Sequence, residues 1–221
     1  MLFTTKKLLH KERACAARFR HFFKRYRPVA DDEPIPLIDV LDINGLDDAL
    51  WCLRATTEPC ENLARLLAAD FAEHVLPLFE TKFPDDHRLR QAIETARRFA
   101  RGQATEEELK DAYRNARAAA GAADAAGYGA SAAGYAADAA SDAAASGAIY
   151  AACYAAEAAV DARAEAAELA ADAADVSYDS TAANRAAAYA SERRWQTHHF
   201  REALIAHPGA NAVSALPATV A

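Results

Sequence analysis

The fold is decided by an alanine-rich stretch in the second half of the chain. Residues 105–144 read TEEELKDAYRNARAAAGAADAAGYGASAAGYAADAASDAA, and about half of the residues from 112 to 190 are alanine. Alanine has the highest helix propensity, and its small side chain lets neighbouring helices approach closely. The stretch opens with a capping box, because Thr105 can accept a hydrogen bond from the Glu108 amide while Glu108 reaches back. We therefore predict an all-α, compact multi-helix bundle with closely packed alanine-rich helices over 105–190.

Breaks in this stretch are expected at Ser146-Gly147 and between residues 176 and 181, which predicts three long helices. Before it, apolar residues at helical spacing predict a first helix over residues 5–27. Asn44 is the expected N-cap of a later helix, and Gly102 the expected stop before the capping box. No period-two strand pattern occurs. The expected parts are a basic amphipathic N-terminal helix in residues 1–30, an all-helical domain over 37–207 and a disordered tail over 208–221.

Charge is distributed unevenly along the chain. The net charge is -7, yet residues 1–30 contain nine Lys and Arg against one Glu, which leaves -15 for the remainder. A basic arm on an acidic body either docks on that body or meets an anionic partner, with nucleic acid as one possibility. The sequence leaves both alternatives open.

The chain is expected to be cytoplasmic. Its four cysteines show no C-x-x-C spacing and do not form a disulfide framework. The start has charges without an apolar segment behind them, which argues against a secretory signal. Acidic residues interrupt the alanine-rich stretch every turn or two, so no membrane span is expected.

The residues other than alanine form a sparse stripe. Between Tyr113 and Asp142 they recur at steps of four, seven, four, three, four, three and four, which predicts that they share one helix face. Two interpretations remain open. The tyrosines either fill the space that alanine leaves in the core, or form a partner-binding face in which Tyr supplies contact area and Asp supplies charge selectivity. The candidate partner-binding residues are Asp124, Tyr128, Tyr135, Asp138, Asp142, Tyr150 and Tyr154.

Catalytic and metal-binding patterns are weak. Asp70 and His74 stand four apart, but a metal site needs several converging ligands. His198 and His199 are adjacent and so point to different faces of a helix. The sequence shows neither a phosphate-binding glycine loop nor a nucleophile signature. We therefore expect no catalytic residue, no metal and no cofactor.

Residues 45–55 read GLDDALWCLRA and residues 64–76 read ARLLAADFAEHVL, followed by PDD at 84–86 and ARG at 100–102. This pattern resembles the immunity five-like family of bacterial immunity-protein domains. The alanine-rich run after it resembles family members too, and the resemblance extends over residues 5–200.

The resemblance implies an inhibitor that neutralises a cognate bacterial toxin by direct, non-catalytic binding. It carries over no catalytic residue, and it leaves the toxin, the binding face and the oligomeric state open. An acidic body suits a basic toxin, such as one that cleaves nucleic acid. The alternatives are a nucleic-acid-associated regulator that uses the basic N-terminal helix and, with less support, a metal-dependent hydrolase.

Overall fold

The chain is built from α-helices. A computed structural model describes residues 1–127, 131–145, 147–174 and 177–207. The helices are α1 (Lys6–Lys11), α2 (Ala16–Arg25), α3 (Leu37–Asn44), α4 (Leu46–Trp51), α5 (Glu61–Lys82), α6 (Arg88–Ala100), α7 (Glu106–Ala125), α8 (Ser131–Ala144), α9 (Ala148–Ala173) and α10 (Tyr178–Ala206), with a 3-10 turn at Cys52–Ala55. The predicted all-α class is confirmed. The tail expected to be disordered, residues 208–221, lies outside the described residues.

Two short strands accompany the helices. Strand β1 (Phe3–Thr4) pairs antiparallel with β2 (Ile35–Pro36), with Phe3 opposite Pro36 and Thr4 opposite Ile35. Each strand has only two residues, so a period-two pattern has no room to appear in the sequence.

The single helix expected over residues 5–27 is wrong, because the chain breaks between α1 and α2. Arg13 adopts a positive φ of 59°. Its amide donates to the His10 carbonyl at 3.1 Å, and the Ala14 amide donates to the Leu9 carbonyl at 2.9 Å. These two bonds form a Schellman cap, which normally uses glycine at the left-handed position. An arginine there gives no sequence signal, so the break was not predicted.

The expected N-cap at Asn44 is also wrong. Asn44 is the last residue of α3, and Gly45, with φ 87°, is the N-cap of α4. The Asn44 side-chain amide instead donates to Asp48 Oδ2 at 2.7 Å and to the Arg18 carbonyl at 3.1 Å. Asn44 therefore links three helices, while the glycine takes the conformation that the turn requires.

The signals around residue 105 are confirmed. Thr105 Oγ1 accepts from the Glu108 amide at 3.2 Å, and the Thr105 amide donates to Glu108 Oε2 at 2.7 Å. Gly102 follows α6 with φ 69°, as a C-terminal glycine stop requires.

The chain divides into two units by its contacts. The first contains Met1–Cys60 and the residues from Thr197 onward. Residues 1–30, expected to contain a basic amphipathic helix, belong to this unit because β1 pairs with β2 and because Leu9 and Phe22 are buried.

The second unit, Glu61–Gln196, contains the alanine-rich helices. Helix α5 packs against α6, α8 and α9, and α8 contacts both α7 and α9. The alanines of α7, α8 and α9 supply many of the buried positions, which is what close helix spacing needs. In the part of the chain that the structure describes, no helix is both long and apolar enough to cross a membrane.

Candidate binding face

The stripe of tyrosines and carboxylates is spread over three helices. The expectation that residues 113–142 share one continuous helix is wrong, because α7 ends at Ala125 and α8 begins at Ser131. Gly127 has φ 80°, and its amide donates to the Asp124 carbonyl at 3.1 Å in the turn that ends α7. Tyr128, one of the candidate residues, lies outside the described residues.

Within each helix, the spacing of the tyrosines and charged residues still places them on one side of that helix. Helical steps of three, four, seven and eleven return to nearly the same side of a helix. Each of the three helices therefore carries a short row. The rows are Tyr113, Arg117 and Asp124 on α7; Tyr135, Asp138 and Asp142 on α8; and Tyr150, Tyr154 and Glu157 on α9. We call these nine residues the tyrosine–carboxylate face.

Contacts between helices join the rows. Arg117 of α7 donates to Asp138 Oδ1 of α8 at 2.7 Å. Asp124 Oδ1 lies only 2.9 Å from where a β-carbon on Gly134 would stand, so this glycine lets α7 approach α8 closely. Glu157 of α9 is near enough to Asp142 to act on its ionisation. The rows therefore lie on neighbouring parts of one surface.

The tyrosines of this face are exposed. Tyr135 is 38% exposed, Tyr150 51% and Tyr154 52%. The Tyr150 and Tyr154 rings stack with their centroids 6.3 Å apart. The interpretation that these tyrosines fill the core is therefore wrong for the three that the structure describes, because alanines take the buried positions between them.

The carboxylates of the face have altered acidity. Burial raises the pKa of the Asp138 carboxyl; Arg117 opposes the rise and Asp124 adds to it. Burial and then the neighbouring Asp138 raise the pKa of Asp142 to about 6, with Glu157 adding to the rise and Arg117 opposing it. Carboxylates that repel one another in a half-buried setting are stabilised by an incoming cation.

A cavity opens beside this face. It has a volume of about 350 Å³ and is lined by Phe99, Leu109, Tyr113 and Ala144, with Glu106 and Lys110 at its edge. Glu106 and Lys110 form an ion pair at 2.8 Å. The cavity is large enough for one aliphatic or aromatic side chain.

Three members of the face were not among the candidate residues. Tyr113 was part of the stripe but was not proposed as a binding residue. Arg117 was part of the stripe but not a candidate, and only the fold shows that it holds Asp138. Glu157 was not singled out at all. Its position three residues after Tyr154 was a usable signal, since the two share a helix side.

The residues weighed as metal ligands make other contacts. Asp70 accepts from Arg97 at 2.6 Å. His74 Nδ1 lies 2.9 Å from Glu192 Oε2, and its ring stacks on Trp195 with centroids 3.7 Å apart. Among the described residues, no group of three or more His, Cys, Asp and Glu side chains is arranged to hold a metal ion.

The fold and this face describe an all-α protein with an exposed surface of tyrosines and carboxylates. A family model described as Imm-5 like putative immunity protein matches residues 56–203. The chain belongs to this family. The match covers the end of the first unit, all of the second and most of α10, whereas the GLDDALWCLRA segment at 45–55 lies before it. No curated protein and no solved structure matches the chain.

Proposed function

We propose that the chain neutralises a cognate bacterial toxin by binding it directly, without catalysis, through the tyrosine–carboxylate face. The family supports the general class of immunity protein. The observation that carries the choice of face is the exposure of Tyr135, Tyr150 and Tyr154 beside two carboxylates of raised pKa. Exposed tyrosines are strong anchors in protein interfaces because they bury a large area at small entropic cost.

The partner surface that fits this face is basic. Asp142 and Asp138 lie close enough to raise the pKa of Asp142, and Arg117 offsets only part of that repulsion. A Lys or Arg of the partner placed between these carboxylates relieves the repulsion and gains charge-assisted hydrogen bonds. Charge complementarity of this kind also speeds association at low salt.

The cavity beside Tyr113 suits an apolar anchor from the same partner. Phe99, Leu109 and Ala144 offer apolar walls, and the 39% exposed Tyr113 also lines the cavity. A buried side chain ringed by polar contacts is the usual arrangement at the centre of a tight interface. The proposed interface thus combines one apolar pocket with an acidic, tyrosine-rich surround.

We place this encounter in the cytoplasm. None of the four cysteines forms a disulfide in the structure, and Cys52 and Cys60 are buried. Thiols that form no disulfide suit a reducing compartment. The binding is proposed to be stoichiometric, so the inhibitor blocks the toxin by occupying its surface.

A neutralisation assay tests the proposal. The candidate toxin for the assay is a large secreted protein with a C-terminal toxin domain encoded in the adjacent reading frame, and growth is measured when both proteins are expressed together. The triple variant Tyr135→Ala, Tyr150→Ala and Tyr154→Ala is expected to lose protection. One strong anchor contributes about 2 kcal/mol or more, which is about 30-fold in affinity, so the loss of three should lower the affinity by more than about 100-fold.

The matched control removes tyrosines of comparable exposure elsewhere. Tyr178 is 86% exposed and Tyr189 46% exposed, and both belong to α10. The variant Tyr178→Ala with Tyr189→Ala is expected to protect as well as the unaltered chain. Full protection by the triple variant, with its helical circular dichroism unchanged, contradicts the assignment of this face.

A further inference from the structure

Helix α2 has two chemically distinct sides. Phe19, Phe22, Phe23 and Tyr26 occupy one arc, and their neighbouring rings lie 4.6 to 4.9 Å apart. Phe22 is buried at 3% exposure. The opposite arc, which we call the basic face, carries Arg18, Arg20, His21, Lys24 and Arg25. Because the aromatic arc packs inward, it holds the cations of the basic face toward solvent.

The cations at the edge of this surface are paired, whereas those in its middle are not. Arg18 binds Asp48 at 2.8 Å, and Arg27, just after the helix, binds Glu33 at 2.5 Å. Arg20 donates only to the Ala16 carbonyl, at 3.2 Å, and an Arg25 guanidinium nitrogen lies 3.0 Å from His21 Nδ1. Within the described ranges, Arg20, Lys24 and Arg25 have no carboxylate partner.

We propose that the basic face of α2 binds the phosphate backbone of nucleic acid, independently of base sequence. Arginine presents a planar fork of donors that matches phosphate oxygens, and lysine adds a point charge. Contacts to phosphate alone position a protein on nucleic acid without reading its bases. The proposal concerns α2 and is independent of the tyrosine–carboxylate face.

Two other anionic partners fit this surface less well. A lipid surface is bound by helices that insert an apolar face, but the aromatic side of α2 is turned toward the protein, where Phe22 is buried and Phe19, Phe23 and Tyr26 are partly covered. An acidic protein needs apolar or aromatic anchors among the charges, and here only Ala17 and the polar ring of His21 lie between the cations. Dispersed cations without anchors suit a phosphate backbone.

The expected strength follows from counterion release. We assume that Arg20, Lys24 and Arg25 each neutralise one phosphate. A plot of the logarithm of the association constant against the logarithm of the salt concentration should then have a slope of about -2.7. The affinity then falls about 40-fold between 50 and 200 mM salt. The net charge of the whole chain is -7, so any such binding has to come from a local surface.

The experiment measures fluorescence anisotropy of labelled double-stranded DNA and RNA of mixed sequence, titrated with the full chain at several salt concentrations. The variant Arg20→Gln, Lys24→Gln and Arg25→Gln is expected to lose this binding. Its control, Arg90→Gln, Arg98→Gln and Arg114→Gln, removes three exposed cations outside α2 and should bind like the unaltered chain.

No binding at 50 mM salt, equal loss in the control variant, or preferential binding to phosphatidylglycerol vesicles overturns the proposal.

Discussion

Replacing Asp142 with asparagine is expected to stabilise the folded chain at neutral pH. The pKa of Asp142 is raised from 3.8 to about 6 by burial and by Asp138. One pKa unit corresponds to about 1.4 kcal/mol, so the full shift sets a ceiling of about 3 kcal/mol at pH 7. Because the side chain is only half-buried and solvent screens it, we expect about 1 to 2 kcal/mol. Asparagine keeps the size of the side chain and removes the charge.

The direction of the pH dependence follows from the raised pKa. Between pH 3.8 and about 6 the folded chain holds a proton that the unfolded chain has already lost. The contribution of Asp142 to stability is therefore fully present below pH 3.8 and is lost as the pH rises through about 6. The Asp142→Asn variant has no carboxyl at this position and should not lose stability in this way. The difference in the free energy of unfolding between the variant and the unaltered chain should therefore appear only as the pH rises.

Urea denaturation at pH 4 and at pH 7 measures the effect. The variant should be more stable by about 1 to 2 kcal/mol at pH 7 and nearly equal at pH 4. Asp85→Asn removes the same charge at an exposed turn position and serves as the control. If the variant and the unaltered chain differ in the free energy of unfolding by the same amount at pH 4 and at pH 7, the raised pKa of Asp142 is not the cause and the prediction is refuted. The Asp142→Asn variant should also bind a basic partner more weakly, because the negative charge whose removal stabilises the fold is one that the partner would contact.

Three further substitutions test named contacts by urea denaturation. Thr105→Ala removes the capping box and should cost about 1 kcal/mol. Arg65→Met removes a buried guanidinium that donates to the carbonyls of Ala143 and Ala145, and should cost about 2 to 3 kcal/mol while hydrogen exchange at the end of α8 speeds up. Arg13→Gly places glycine where the backbone has a left-handed conformation, and should raise the free energy of unfolding by about 1 kcal/mol. An unchanged transition midpoint contradicts the contact concerned.

The local signals in the sequence predicted local structure well. The capping box at Thr105 and the glycine stop at Gly102 depend only on neighbouring residues, and both are confirmed. The composition predicted the fold class for the same reason, since helix propensity is a local property. The break at Arg13 was missed because its cap uses an arginine where the usual signal is glycine.

The candidate face was only partly predictable. Spacing within each helix selected Tyr135, Asp138 and Asp142 as one row, because the helical period is fixed by backbone geometry. The break after Ala125 turned one expected row into two on separate helices. The pairing of Arg117 with Asp138 follows from how these helices pack, and single-sequence periodicity carries no information about such contacts between elements.

The central claim is that the tyrosine–carboxylate face meets the toxin, and oxidative footprinting of the purified complex tests it most directly. Hydroxyl radicals modify exposed tyrosines, and mass spectrometry reads each site. We predict that the toxin protects Tyr135, Tyr150 and Tyr154 while Tyr178 and Tyr189 of α10 remain as reactive as in the free chain. Protection of the two α10 tyrosines with unchanged labelling of the other three would contradict the account.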